Sequence, residues 1–323
     1  MAILWCGGED IDFPNGGVPS VNTSTLNFRS SWARCALVGP SSATSLIKST
    51  PFPGGQITSA WLRFYSVIAP NGTIALLGAL GKSGTNSAVG VGFSSSGMLA
   101  IMKISNGTLT TLATSTTAIS SGRYDVQLIN YGTTGTINLY VNGALVTSYT
   151  GDLTVTGATG LDSVFFAGTQ FGNIFYSEFI VADDSTLALQ GLATLAPTGN
   201  GTTQNFSNPA YTNFNPTTIN DANSTFTNTA GQDEQATLNG VPSGSFEVKA
   251  VKVIARALAT SGAATSNLKL GFNNTNNSTV AEGSSHALTS GFTPVEDYFA
   301  TDPTTGAAWG SNLTGYQLEL KSS

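Results

Sequence analysis

Carboxylates, one histidine and two cysteines are the side chains of this chain most able to do chemistry, and their spacing decides which chemistry is open to them. The densest acidic group, Glu9-Asp10-Ile11-Asp12, stands just before Phe13-Pro14-Asn15-Gly16. Glycoside hydrolysis needs two carboxyl groups facing each other across a cleft at about 5–9.5 Å, whereas acids beside such a segment read as a turn or a subunit contact. Glu178 alternates with Ser177 and Phe179 in a strand-like run and has no second carboxylate at strand spacing. Asp183-Asp184 closes that run and reads as a turn opener. The sole histidine, His286, lies in G-S-S-H-A-L-T-S-G, with Ser284 and Ser285 too near in sequence for a catalytic arrangement and no G-x-S-x-G elbow around them. It is expected in a solvated loop. Gly90–Gly97 lacks the helix and lysine of a phosphate cradle, so its glycines are those of a hairpin. Cys6 and Cys35 are too few for a disulfide framework and are expected as a buried free pair, a single bond staying open under oxidising conditions. Two cysteines and one histidine do not make a usual structural zinc site. No catalytic, cofactor-binding or metal-ligating residue is assigned, and the protein is expected not to be an enzyme.

Sugar binding asks for something else: exposed aromatic rings beside Asn and Asp. Trp309, Tyr211, Phe214, Trp61 and Tyr131 are the candidates, and each is equally open to a place in a core. Composition narrows the partners. Charged residues are 9% of the 323, against about 25% in an ordinary globular chain, while hydrophobic residues reach 40%. Thr, Ser, Asn and Gly fill the deficit, which suits turns, strand edges and packed protein contacts, and hints at a protein built into an assembly or facing a harsh exterior; a homo-oligomer is expected. Lys and Arg total 12 and never cluster, and the net charge is −6, so neither nucleic-acid binding nor polybasic membrane attachment is expected. The start, M-A-I-L-W-C-G-G-E-D, does not read as a secretory signal, and no run approaches the roughly 20 apolar residues of a membrane span.

The elements that must position these residues are strands. From Arg123 to Leu153, Tyr124, Val126 and Leu128 alternate with polar residues, a Gly-Thr-Thr-Gly turn follows, Ile137, Leu139 and Val141 alternate again, and Asn142-Gly143 leads to a third run. That is an antiparallel meander. Further strands are expected over 60–69, 74–80, 88–93, 98–104, 108–113, 245–259, 267–273 and 316–321, separated by Asn-Gly and Ser-Gly turn signals. Around 187–215, Pro, Gly and Asn break the pattern. The expected organisation is a β-sandwich over 1–190, a connector over 191–215 and a smaller β-sandwich over 216–323.

R-Y-D-V-Q-L followed by G-T-I-N-L-Y-V-N-G-A-L-V resembles the core of laminin-G-like and concanavalin A-like domains. The fold class implied is all-β: an N-terminal jelly-roll sandwich of that kind plus a C-terminal β-sandwich. F-Y-S-E-F-I-V-A-D-D-S-T (175–186) and L-A-T-L-A-P-T-G-N-G (192–201), with T-I-N-D-A, T-A-G-Q-D-E, V-K-A-V-K-V-I-A-R-A and D-P-T-T-G-A-A-W further on, resemble tailed-bacteriophage virion proteins. Phe179 departs from that pattern, which has an aliphatic residue there. The resemblance implies a non-enzymatic structural protein on the virion exterior, a capsid decoration, head fibre or tail-associated component, contacting other capsid or tail proteins. Its alternative is a carbohydrate-binding adhesin that touches a host surface glycan. The glucanase relatives' Glu-x-Asp-x-x-Glu is absent. Laminin-G-like domains sometimes hold calcium at a loop rim, and Asp152, Asp162 and Asn142 are the residues that would do so here, although no spacing demands it.

Overall fold

The computed structural model describes residues 1–15, 20–22, 36–38, 46–68, 75–118, 120–167, 174–188, 191–208, 211–214, 220–238, 246–260, 267–311 and 313–323. It is all-β, and it divides into two compact units, Met1–Leu192 and Ala193–Ser323. Among the described residues no helix is long and apolar enough to cross a membrane.

The first unit contains β1 (Ile3–Gly7), β2 (Ser20–Asn22), β3 (Ala36–Val38), β4 (Ile47–Lys48), β5 (Ala60–Ile68), β6 (Ala75–Lys82) and β7 (Ser87–Phe93). It continues with β8 (Met98–Ser105), β9 (Thr108–Ala118), β10 (Gly122–Ile129), β11 (Gly135–Val141), β12 (Ala144–Gly151), β13 (Ser163–Phe166) and β14 (Ile174–Ala182). One antiparallel sheet runs β12-β11-β10-β5-β14-β3-β2, with β1 also on β14; the other runs β4-β13-β6-β7-β8-β9. Period-2 alternation sends Tyr124, Val126 and Leu128 of β10, and Ile137 and Leu139 of β11, into the interior. There Phe64 stacks on Tyr124 at 5.2 Å and on Phe179 at 5.5 Å, and Phe179 in turn meets Phe166 and Phe13. The aromatic residue at 179 is thus a core ring. Asn142-Gly143 makes the expected tight hairpin, with φ of 50° and 88°, the positive values that such a turn demands.

The second unit contains β15 (Pro197–Gln204), β16 (Asp233–Leu238), β17 (Val251–Ala257), β18 (Asn267–Asn274), β19 (Thr279–Ala287), β20 (Thr293–Phe299) and β21 (Tyr316–Ser322). A sheet ordered β15-β16-β21-β18-β19 and the pair β17-β20 enclose Val253, Leu268, Leu270, Phe272, Val295, Trp309 and Leu320. Two expectations change here. Residues 197–204, read as part of a connector, are β15, which among the described residues is an edge strand paired to β16 alone. An edge strand needs backbone partners more than an apolar face, and a Cβ on Gly201 would lie 2.6 Å from Gln235, so its glycines allow the close approach that hid it. The strand expected over 245–259 begins only at Val251.

Candidate functional site

The outward face of the first unit's larger sheet gathers groups that the sequence left scattered. Register places Gln127 between Trp61 of β5 and Asn138 of β11, and Asp125 between Arg63 of β5 and Tyr140 of β11. Because Tyr124, Val126 and Leu128 point inward, this second set must point outward. The rings of Trp61 and Tyr140 lean toward each other over β10, with centroids 5.5 Å apart and planes at 31°. A bulge in the β11–β12 pairing sets Leu145 opposite Tyr140, and Leu145 is 58% exposed. The result is an apolar strip, Trp61–Tyr140–Leu145, crossing the strands, with Trp61 buried at its base and Tyr140 and Leu145 carrying the open surface. Beside it Asn138 Nδ2 donates to Gln127 Oε1 at 2.8 Å, and Thr136 and Thr150 join hydroxyls at 2.9 Å. A tyrosine ring backed by Trp61 and an exposed leucine, flanked by amides and hydroxyls, can receive the apolar face of a sugar and bond its hydroxyls.

A charge cluster adjoins the strip. Asp125 is fully buried, and its Oδ1 accepts from Arg63 Nε at 2.8 Å and from Thr186 Oγ1 at 2.6 Å. Its Oδ2 accepts from Arg123 Nε at 2.9 Å. Arg63, 1% exposed, also donates Nη2 to the Thr186 carbonyl. A buried carboxylate is tolerable only when its lone pairs are met in this way. The cluster therefore pins the segment after β14 onto the sheet and fixes the Arg123 side chain. Asn142 completes it: its Oδ1 accepts from the Arg123 backbone N–H at 3.0 Å.

Of the acids singled out by sequence, Asp12, Asp183 and Asp184 accept from backbone N–H groups. Asp10–Asp12 is a 3-10 turn capped by Glu9; the carboxylates at 9, 10 and 12 are buried, and Asp12 Oδ2 accepts from Gly8 N at 2.8 Å and Glu9 N at 3.0 Å. Glu178 does not alternate simply with its neighbours. It sits at φ 58° within an irregularity of the β14–β5 pairing, buried. Asp184 accepts from Ser185 N, a local bond of the kind turn residues make, whereas Asp183 accepts from Ala2 N and ties the start of β1 to the end of β14. His286 is not in a solvated loop but on β19, half-buried, with Nε2 2.9 Å from Asp297 Oδ2 on β20. The same carboxylate accepts from Ser284 N at 3.1 Å, and Ser285 Oγ lies against Ser323 Oγ, so no serine hydroxyl among the described residues bonds the imidazole. The loop reading failed because Ser, Gly and Ala on an edge strand look like loop composition.

The residues named for calcium are each engaged elsewhere. Asp152 binds Lys103 and Thr154; Asp162 binds Lys82, Ser83 and Ser163; Asn142 caps β10. Burial alone would raise the Asp162 pKa, but the Lys82 and Ser83 bonds win and hold it below the usual range. Among the described residues no three His, Cys, Asp or Glu side chains converge on a point that could hold a metal ion. Cys6 is buried, and Cys35 lies outside the described residues. Of the aromatic candidates, Trp309 and Phe214 pack into the second unit's core, and Tyr131 is buried with its hydroxyl accepting from Val155 N. Tyr211 lies half-buried in a 3-10 turn, and Trp61 alone joins the strip. Tyr140, Leu145 and Asn138 were missed as a site; their signal was the outward phase of β11, legible once β5 was known to lie beside β10.

No family model matches the chain, and no curated protein matches it. Solved structures similar to part of it include the binding domain of Paraclostridial mosquitocidal protein 1, at 13% identity over 57% of this chain and 49% of that one, with a TM-score of 0.37. The carbohydrate-binding module CBM66 from Bacillus subtilis is 13% identical over 51% of this chain and 91% of its own, with a TM-score of 0.36. An endo-β-1,4-glucuronan lyase from Trichoderma reesei is 12% identical over 57% and 96%, with a TM-score of 0.35. The chain spans about half the length of the first of these. Likenesses at this level leave function to be argued from the site.

Proposed function

We propose that the first unit is a non-enzymatic carbohydrate-binding module whose glycan lies across the outward face of β5, β10, β11 and β12. The observation that carries this reading is the Trp61–Tyr140–Leu145 strip beside the Asn138–Gln127 amide pair. An exposed leucine against a half-buried tyrosine, on a sheet face that also carries hydroxyls, amides and the Arg63–Asp125–Arg123 cluster, is a surface shaped for an amphipathic, hydroxyl-rich partner. The non-enzymatic part is supported by Asp12, which holds a backbone turn, and by Asp125, which is buried between two guanidinium groups. The test is a glycan array probed with the wild-type protein and with Tyr140→Ala. Binding by the wild type that falls at least about tenfold in the variant, with the thermal transition unchanged, supports the reading. Equal binding by both, or none by either, overturns it.

The setting we propose is the exterior of a tailed-phage particle, where the module would meet a host surface glycan while the chain contacts neighbouring virion proteins. The support is the order of short motifs over 175–201 and through the second unit, together with the low charge of the chain. Mass spectrometry and immunogold labelling of purified particles test it: label on head or tail supports the placement, and absence from the particle overturns it.

A further inference from the structure

One guanidinium on the same face, that of Arg123, is only half used, and its open side points to the kind of sugar. Asp125 is one carboxylate between two guanidinium groups, those of Arg63 and Arg123. Arg63 is buried, with bonds to Asp125 and Thr186. Arg123 is 22% exposed, and only its Nε is used on Asp125, so both Nη groups remain without a hydrogen-bond partner among the described residues. Its position is fixed from two sides. Asp125 holds the Nε edge, and Nη2 lies against the hairpin at Gly143, where a Cβ would stand 3.2 Å away. Gly143, at φ 88°, is required by the turn and also leaves room for the guanidinium. Along the register Arg123 is two residues from Asp125, the partner of Tyr140, so it borders the apolar strip. The exposed acids at 183 and 184 follow Ala182, which pairs with Trp61 in the row of Gln127, four residues along β10 and about 13 Å from Arg123.

A guanidinium held by its Nε edge, with the Nη pair open, presents the fork that receives a carboxylate through two parallel hydrogen bonds. We infer that Arg123 is an anion subsite of the glycan platform and that the preferred ligand is an acidic sugar whose carboxylate lies against its Nη groups while the ring packs on Tyr140. The inference rests on the platform reading and names its substrate class.

The experiment uses the full chain and a panel of glycans containing uronic or sialic acid, each beside its own methyl ester, with sulfated and neutral glycans on the same surface. The expected result is binding of at least one carboxylated glycan, weakened about tenfold or more by esterification of that glycan. Arg123→Gln loses a similar factor for the acid and nothing for the ester, and Arg123→Lys, which keeps the charge without the fork, falls between. The acid-against-ester comparison on the wild type needs no variant to fold. Acid and ester bound equally, or binding confined to sulfated glycans, overturns the carboxylate assignment. Neutral glycans lost in Tyr140→Ala but kept in Arg123→Gln overturn this inference and leave the platform standing, whereas binding to no glycan removes the platform itself.

Discussion

Glu319 makes the stability of the second unit fall as pH rises through neutrality. The residue is 1% exposed on β21, opposite Gln235 of β16, whose Nε2 donates to its Oε2 at 2.5 Å. Burial pushes its pKa up to about 7, with Asp233 adding repulsion against the Gln235 bond and the Lys321 charge. Below the unfolded value of 4.5 the group is neutral in both states and costs nothing. Between 4.5 and 7 the folded protein keeps a proton that the unfolded chain has lost, and above 7 the folded state carries the whole cost of a buried charge. With 1.36 kcal/mol per unit, the loss between pH 5 and pH 8 is about 2 to 3 kcal/mol, or roughly 8 °C in the transition of a unit this size. Glu234, raised by burial, acts in the same direction, whereas the lowered pKa values of Asp221, Glu282 and Asp302 place their titration below this window. Glu319→Gln keeps an acceptor for Gln235 and removes the ionisation. The assay is urea unfolding of the full chain at pH 5, 6, 7 and 8, read by pulsed hydrogen exchange over peptides covering β16 and β21. The variant should flatten most of the wild-type slope and be the more stable protein at pH 8. A wild type whose second unit gains stability as pH rises, or a variant with the wild-type slope, would refute the reasoning.

Two further substitutions test the packing and the charge cluster of the first unit. Gly90→Ala places a Cβ 2.2 Å from the Gly78 carbonyl and 2.4 Å from Ala79 Cα, backbone atoms beside the irregularity in the β6–β7 pairing, and should cost at least about 3 kcal/mol by thermal unfolding. Arg63→Ala leaves Asp125 buried with one guanidinium fewer and frees the Thr186 carbonyl; a loss of about 3 to 5 kcal/mol and faster proteolysis after β14 are expected.

The sequence carried the fold further than the site, for a physical reason. Strands with an alternating apolar face, such as β10 and β11, are legible because burial on one side imposes period 2. Edge strands and polar-faced strands are not: β15 and β19 are held by backbone pairing, and their Gly, Ser, Asn and Thr residues also suit turns. Trp61 was visible as a candidate by residue type, yet its partners come from β11 and β12, so the platform appears only when β5 is placed beside β10, about 60 residues away in sequence. The same long-range register turns Arg63, Asp125, Arg123 and Thr186, unremarkable one at a time, into a single cluster.

The central claim, that the outward face of β5 and β10–β12 binds glycan, is tested most directly by titrating the isotope-labelled protein with the strongest binder from a glycan array and mapping the NMR shift changes. Changes are expected at the Trp61 indole N–H and at the amides around Tyr140, Asn138, Gln127 and Leu145, with the second unit unmoved. Changes confined to any other surface, or saturation without a shift on this face, would contradict it.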